Sequence, residues 1–169
     1  MKSLYILSDS TGVGQYVTIH KTWPVLLSQH LEGRYIVQNA SRNGETSRQA
    51  LERLYNDVLQ FEPDLVYVQY GSNDANKWET DRGDPRCTVG ELQTNILSIL
   101  RRCCTFHAVS ILGSNHTGAY NEAIAEISQA PFLYVDHSQY TGSYLMHDGI
   151  HLNEYGHQLY FENIAKVIP

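Results

Sequence analysis

Four short polar motifs punctuate this chain, and each carries a group that acyl-transfer chemistry needs. Ser8-Asp9-Ser10 offers a hydroxyl. Asn43-Gly44-Glu45 offers a backbone N–H with no side chain in its way. Gly71-Ser72-Asn73-Asp74 offers a side-chain amide. Asp148-Gly149-Ile150-His151 offers a carboxylate and an imidazole three residues apart, a spacing at which both side chains face the same way on one turn. A hydroxyl activated by an imidazole attacks a carbonyl, a carboxylate fixes the tautomer of that imidazole, and N–H donors hold the oxyanion that forms. Ser10 is therefore the candidate nucleophile, with His151 as base and Asp148 as its partner. The N–H of Gly44 and the amide of Asn73 are the candidate oxyanion donors.

Each motif also has a plainer reading. Serines commonly cap helices, and Ser10 stands where a first strand turns into a helix. Asn43-Gly44 and Ser72-Asn73-Asp74 are ordinary turn sequences. Ser8-Asp9-Ser10-Thr11-Gly12 after a strand also suits a flavodoxin-like module that cradles a phosphate or a flavin at a helix N-terminus. That second function leaves Asp148 and His151 without a role.

To meet, the four motifs must be carried by elements that converge. Apolar runs at Leu4–Leu7, Tyr35–Val37, Leu65–Tyr70, Ala108–Leu112 and Phe132–Val135 are short and end in polar or glycine residues, as buried parallel strands do. Between them lie helical stripes. One contains Leu51, Leu54, Tyr55, Val58 and Leu59. Another contains Leu92, Ile96, Ile99, Leu100 and Cys103, with a capping box at Thr88–Glu91. Asn153 is placed to cap a last helix carrying Leu159, Tyr160, Ile164 and Val167. Strand and helix alternate throughout, which predicts an α/β fold: a three-layer α/β/α, flavodoxin-like, doubly wound parallel sheet of five strands, in one domain over 1–169. In such sheets ligands bind beyond the carboxyl ends of the strands, where all four motifs then lie.

The 169 residues are 42% apolar and 18% charged, as in an ordinary globular protein, and the net charge of −6 leaves no basic footprint for nucleic acid. Three cysteines, an odd number with no CxxC pair, argue against both a disulfide framework and a zinc site. His147 and His151 are four apart, but no further ligand cluster accompanies them, so no metal and no organic cofactor is expected. No apolar stretch is long enough to span a membrane. The first apolar run is too short for a signal peptide, so the chain reads as cytoplasmic. Two polar loops, one over 75–87 and one over 139–147, are expected to rim the site with Trp78, Arg82, Arg86, Tyr140 and Tyr144. His116, after the fourth strand, is a further candidate for substrate contact. Aromatic rings with arginines suit a small, polar or carbohydrate ester. The oligomeric state is left open.

Taken in order, the motifs resemble the four blocks of the SGNH, or GDSL-type, hydrolase family, from about Leu4 to the C-terminus. Ser8 and Thr11 stand where that family usually has Gly and Leu. Trp23-Pro24-Val25-Leu26-Leu27, Asn39-Ala40-Ser41 and Tyr120-Asn121-Glu122-Ala123 are similar to the family's compact bacterial thioesterase/lysophospholipase branch. The resemblance implies a serine esterase working through an acyl-enzyme, with Ser10, Asp148 and His151 as its triad and Ser10, Gly44 and Asn73 as its oxyanion hole. The loop residues favour release of a short acyl group such as acetyl. The branch resemblance favours instead a fatty-acyl thioesterase or lysophospholipase.

Overall fold

A computed structural model describes residues 1–77, 82–115, 120–128, 132–138 and 142–169. Five strands form one parallel sheet: β1 (Lys2–Ser8), β2 (Tyr35–Asn39), β3 (Leu65–Gln69), β4 (Val109–Gly113) and β5 (Leu133–Val135), in the order β2-β1-β3-β4-β5. All five expected strands form, with small shifts at their ends. Tyr70 falls outside β3 because its carbonyl accepts the Asn115 amide at 2.6 Å instead of a strand partner. Ala108 falls outside β4 because its N–H closes the preceding helix on Cys103 O.

Side chains alternate across the sheet and sort the core into two layers. Leu4, Ile6, Leu65, Tyr67 and Ile111 face α2 (Trp23–His30) and α6 (Glu154–Val167), where they meet Trp23, Leu27, Tyr160 and Ile164. Leu7, Val66, Val68 and Leu112 face α3 (Ser47–Asp57), α4 (Val89–Thr105) and α5 (Asn121–Ile127). β3, buried along its whole length, is the centre of the molecule. The expected capping box at Thr88–Glu91 forms, Asn153 caps α6 through Gly156 N–H, and a second capping box at Thr46–Gln49 starts α3. Among the described residues no helix is long and apolar enough to cross a membrane.

The strand order reverses between β1 and β3, one running to β2 and the other to β4. That reversal opens a crevice at the strands' carboxyl ends. Ser10 follows β1 and Asn73 follows β3, so the topology alone places these two side by side.

Candidate active site

Ser10 opens α1 (Ser10–Val13), a single turn directly beyond β1. The helix is capped by its neighbour: Asp9 Oδ1 accepts the Thr11 N–H at 2.9 Å. Here the expectation of a serine cap meets a carboxylate cap, and among the described residues the Ser10 hydroxyl makes no hydrogen bond. The same carboxylate takes up the Thr11 N–H, a donor that a phosphate at this helix end in a flavodoxin-like module would need. Trp23, fully buried, clamps the turn by donating Nε1–H to Thr11 O at 2.9 Å, and Asn39 donates to Gly12 O at 2.8 Å. Ser8, two residues back, turns away into the core and donates to Gln69 Oε1. Ser10 itself is 9% exposed.

Asn73 is delivered by a bend that depends on glycine. Gly71 has φ +132, a conformation open to glycine, and a Cβ there would lie 2.5 Å from Asn115 Nδ2. Asp74, buried, then anchors the loop to the start of α3 by accepting both the N–H and the hydroxyl of Ser47. With the loop fixed, Asn73 Nδ2 donates one hydrogen to Asp9 Oδ2 at 3.0 Å. The two oxygens of Asp9 thus hold the turn that carries Ser10 and the amide of Asn73 at once. Asp9 was not among the residues that pattern reading singled out, although it lies inside the first motif. Its pKa is pushed up by burial, against the opposing pull of the Thr11 and Asn73 hydrogen bonds.

Gly44 lies in a left-handed turn (φ +68) with open space beside it. What fixes it is a network that no local pattern announced. The adjacent Glu45 is buried and accepts a two-pronged ion pair from Arg53 Nε and Nη2, together with the Tyr70 hydroxyl at 2.7 Å. Arg53 also reaches Asp57 at 2.9 Å. Arg86, from the loop over 75–87, donates Nη1–H to Gly44 O at 2.7 Å. The Gly44 loop is therefore tied to α3, to the end of β3 and to the long loop. A hint existed in the helical periodicity: Arg53 sits beside Ala50 and Leu54 on the buried face of α3, where an arginine needs a charge partner.

His151 comes from the loop before α6. Asp148 Oδ2 lies 2.7 Å from His151 Nδ1, and Oδ1 accepts the backbone N–H groups of Ile150 and His151 at 2.9 and 3.0 Å. Those bonds, led by the one to the imidazole, hold the Asp148 carboxyl down at about 2. Leu152 is buried in the core on the α2 and α6 side, and Asn153 braces the loop by donating to Ser143 O and Leu145 O. Nδ1 is thus turned toward Asp148, and Nε2 is left for the cleft.

Ser10, Gly44, Asn73 and His151 line one cleft of about 320 Å³, together with Asp9, Thr11, Gln15, Ser72, Ala75, Asn76 and Ile150. No hydrogen bond joins the Ser10 hydroxyl to His151, although both line this cleft; catalytic hydrogen bonds of this kind often tighten only in the complex with substrate. Of the expected rim residues, Arg86 braces Gly44 from outside the cleft lining. Arg82 is exposed and also outside that lining. Tyr144 is half-buried, packs against the core beside α6 and accepts the Asn153 N–H through its carbonyl. Trp78, His116 and Tyr140 lie outside the described residues. Among the described residues no cluster of three or more His, Cys, Asp or Glu is spaced to hold a metal ion.

Comparison with known proteins points the same way as this geometry. The model of the GDSL-like Lipase/Acylhydrolase family matches residues 8–159. The thioesterase 1/protease 1/lysophospholipase L1 of Escherichia coli strain K12 is 30% identical over 162 residues, covering 89% of this chain and 76% of that protein. Among solved structures, an acetyl xylan esterase superposes with a TM-score of 0.83 at 16% identity, over 99% of this chain and 100% of its own. The psychrotrophic esterase EstA of Pseudoalteromonas sp., inhibited by monoethylphosphonate, gives 0.79 at 22%, over 99% and 96%. At those identities the superpositions speak to fold.

Proposed function

Because this chain belongs to the GDSL-like lipase/acylhydrolase family, and is by that membership a serine hydrolase of esters or thioesters, we propose that it works through an acyl-enzyme on Ser10 and releases short acyl groups from small polar esters, carbohydrate esters among them. One observation carries the assignment of roles: four groups from four separate loops line a single cleft, and the imidazole among them is already bonded to a carboxylate through Nδ1. Ser10 Oγ attacks the acyl carbon while its proton passes to His151 Nε2. The oxyanion is held by the N–H groups of Ser10 and Gly44 and by the second hydrogen of Asn73 Nδ2, the one not given to Asp9. When the C–O bond to the alcohol breaks, that oxygen takes the proton from Nε2. Water, activated by the same nitrogen, then attacks the acyl carbon and restores Ser10. Asp148 keeps Nδ1 protonated throughout.

The short-acyl preference rests on the lining. Ala75, Ile150 and the Thr11 methyl give the lining apolar surface, and Gln15, Ser72, Asn73 and Asn76 set polar groups among it. Each methylene of an acyl chain needs apolar cover worth about 0.8 kcal/mol to contribute fully. Polar groups set along this lining interrupt that cover for a long chain. The 30% identity to a thioesterase/lysophospholipase favours the second reading, a fatty-acyl substrate. A nitrophenyl ester series from acetyl to decanoyl, with an acyl thioester alongside, decides between them. A maximum of kcat/KM at acetyl to butyryl is expected; a rise to octanoyl and beyond overturns the short-acyl proposal in favour of the second.

The roles given to Asp9 and Asn73 yield a prediction in which activity and stability part company. In Asp9→Asn only one oxygen remains, and the new amide faces either the Thr11 N–H or the Asn73 amide, donor against donor. The oxyanion donor is then turned out of place, and kcat is expected to fall about 10- to 100-fold, somewhat less than outright loss of such a donor. Stability should not fall with it. The folded state favours the protonated Asp9, so its ionisation costs folding free energy once pH rises above the ordinary aspartate value of 3.8, and Asn removes that cost. The mispaired buried amide costs about 1–3 kcal/mol in its turn, so thermal melts at neutral pH are expected to stay close to the parent's. A variant that is destabilised yet fully active contradicts the assignment.

A further inference from the structure

The segment after α1 carries a residue that the catalytic scheme does not use. Gly14 closes α1 in the left-handed region and, two residues on, Tyr16 is left-handed as well, at φ +69. For a bulky side chain that is a genuine backbone outlier. Of the four non-glycine residues with such a φ among those described, Tyr16, Glu62, Arg82 and His107, Tyr16 is the one against the site. Its ring is 67% exposed, yet it stands edge-to-face with His151, centroids 5.1 Å apart at 85°. Gln15, its neighbour, lines the cleft, as does Ile150, the residue before His151. A strained backbone is kept in order to hold a mostly solvent-exposed ring against the general base, and this is the kind of strain found where function needs it.

Resting on the assignment of Ser10 and His151 above, we propose that Tyr16 selects the leaving group, forming with Ile150 an aromatic and apolar wall on which a planar, aryl-type alcohol packs as it departs. The chemistry dictates where that alcohol must be. To be protonated, the leaving oxygen must come within about 2.6–3.2 Å of His151 Nε2. Substituents on that oxygen then lie alongside the ring that packs on the same imidazole. Tyr16 also belongs to the segment that carries Ser10, and its ring meets His151 just outside the cleft lining, so it joins the segment of the nucleophile to the base. The acyl group, bonded to Ser10 and held by its oxyanion donors, is not required to pass it.

An acyl-enzyme separates this role from any other. kcat/KM reports acylation, in which the alcohol is present. Deacylation begins after the alcohol has left, and is the same for every ester of one acid. The experiment compares phenyl acetate with ethyl acetate in the parent, in Tyr16→Phe and in Tyr16→Gly, and measures deacylation separately from the burst and the steady state. Glycine accepts the left-handed φ without strain, so the variant removes the ring while the turn persists. The ratio of kcat/KM for phenyl over ethyl acetate is expected to fall about 3- to 10-fold in Tyr16→Gly, the size of an aromatic contact. It should hold in Tyr16→Phe, and deacylation should stay within about twofold of the parent's. An unchanged ratio, or acylation and deacylation falling together, overturns the proposal, the latter because Tyr16 would then be acting through His151. Labelling by a fluorophosphonate is run in parallel: failure of the parent to label at Ser10 strikes the catalytic assignment itself, whereas labelling with an unchanged ratio strikes only the role of Tyr16.

Discussion

Ser10→Ala is expected to lower kcat on a nitrophenyl acetate by roughly 10⁴- to 10⁶-fold, the scale at which loss of a nucleophile leaves only binding and oxyanion stabilisation. The same substitution should leave the fold intact. Among the described residues the Ser10 hydroxyl makes no hydrogen bond, and the helix that starts there is capped by Asp9, held by Trp23 and tied down by Asn39. Removing one uncommitted oxygen from a position 9% exposed therefore breaks no contact on which folding depends. Turnover and thermal melting, measured on the same preparation, read the two halves of the claim. A variant that retains more than about a hundredth of the parent's turnover excludes Ser10 as nucleophile. One that fails to fold assigns the serine a structural role that this geometry does not contain.

That the candidate nucleophile and its candidate partners come to one cleft follows from geometry. Buried parallel strands announce themselves as short apolar runs, as β3 does with five buried residues in succession. Once five such runs alternate with helical stripes, the strands' carboxyl ends must share one edge, and polar motifs at those ends must converge. Asp148 and His151 were legible because their partnership is local, three residues apart on one turn. What escaped notice is long-range. Glu45 meets Tyr70 across 25 residues, and Asp9 meets Asn73 across 64. No periodicity encodes such distances, and the oxygens of Asp9 carry two duties that a one-residue reading cannot separate. Tyr16 escaped for another reason. Its importance lies in a backbone conformation that its residue type disfavours, and local preference points away from it. Tyr144 shows a limit of composition: an aromatic in a loop beside the site suggests substrate contact, and its place in the structure is half-buried against the core beside α6.

The Asp148–His151 pair invites a test in which the chemically closer substitution does at least as much harm as the cruder one. Asp148 is held at about 2 by its bonds to His151 and Ile150, although its side chain is 36% exposed. Because the folded value lies below the ordinary 3.8, the pair's contribution to stability is present above that value and is lost as pH falls toward 2. Across any working pH the group is a carboxylate, and the acid limb of the rate profile belongs to another residue. Asparagine cannot replace it. If its oxygen keeps the N–H groups of Ile150 and His151, its NH₂ faces Nδ1 and forces that nitrogen to be the acceptor. The imidazole proton then sits on Nε2, where it blocks transfer from Ser10. If the amide flips, the NH₂ faces two backbone donors instead. Alanine imposes neither conflict, because at an exposed position water can accept the Nδ1 proton and preserve the correct tautomer. Asp148→Asn is accordingly expected to lose roughly 10²- to 10⁴-fold in kcat, and Asp148→Ala no more than that. An asparagine variant within tenfold of the parent, or an alanine variant far worse than the asparagine one, removes tautomer control as the function of this carboxylate and leaves it a loop anchor.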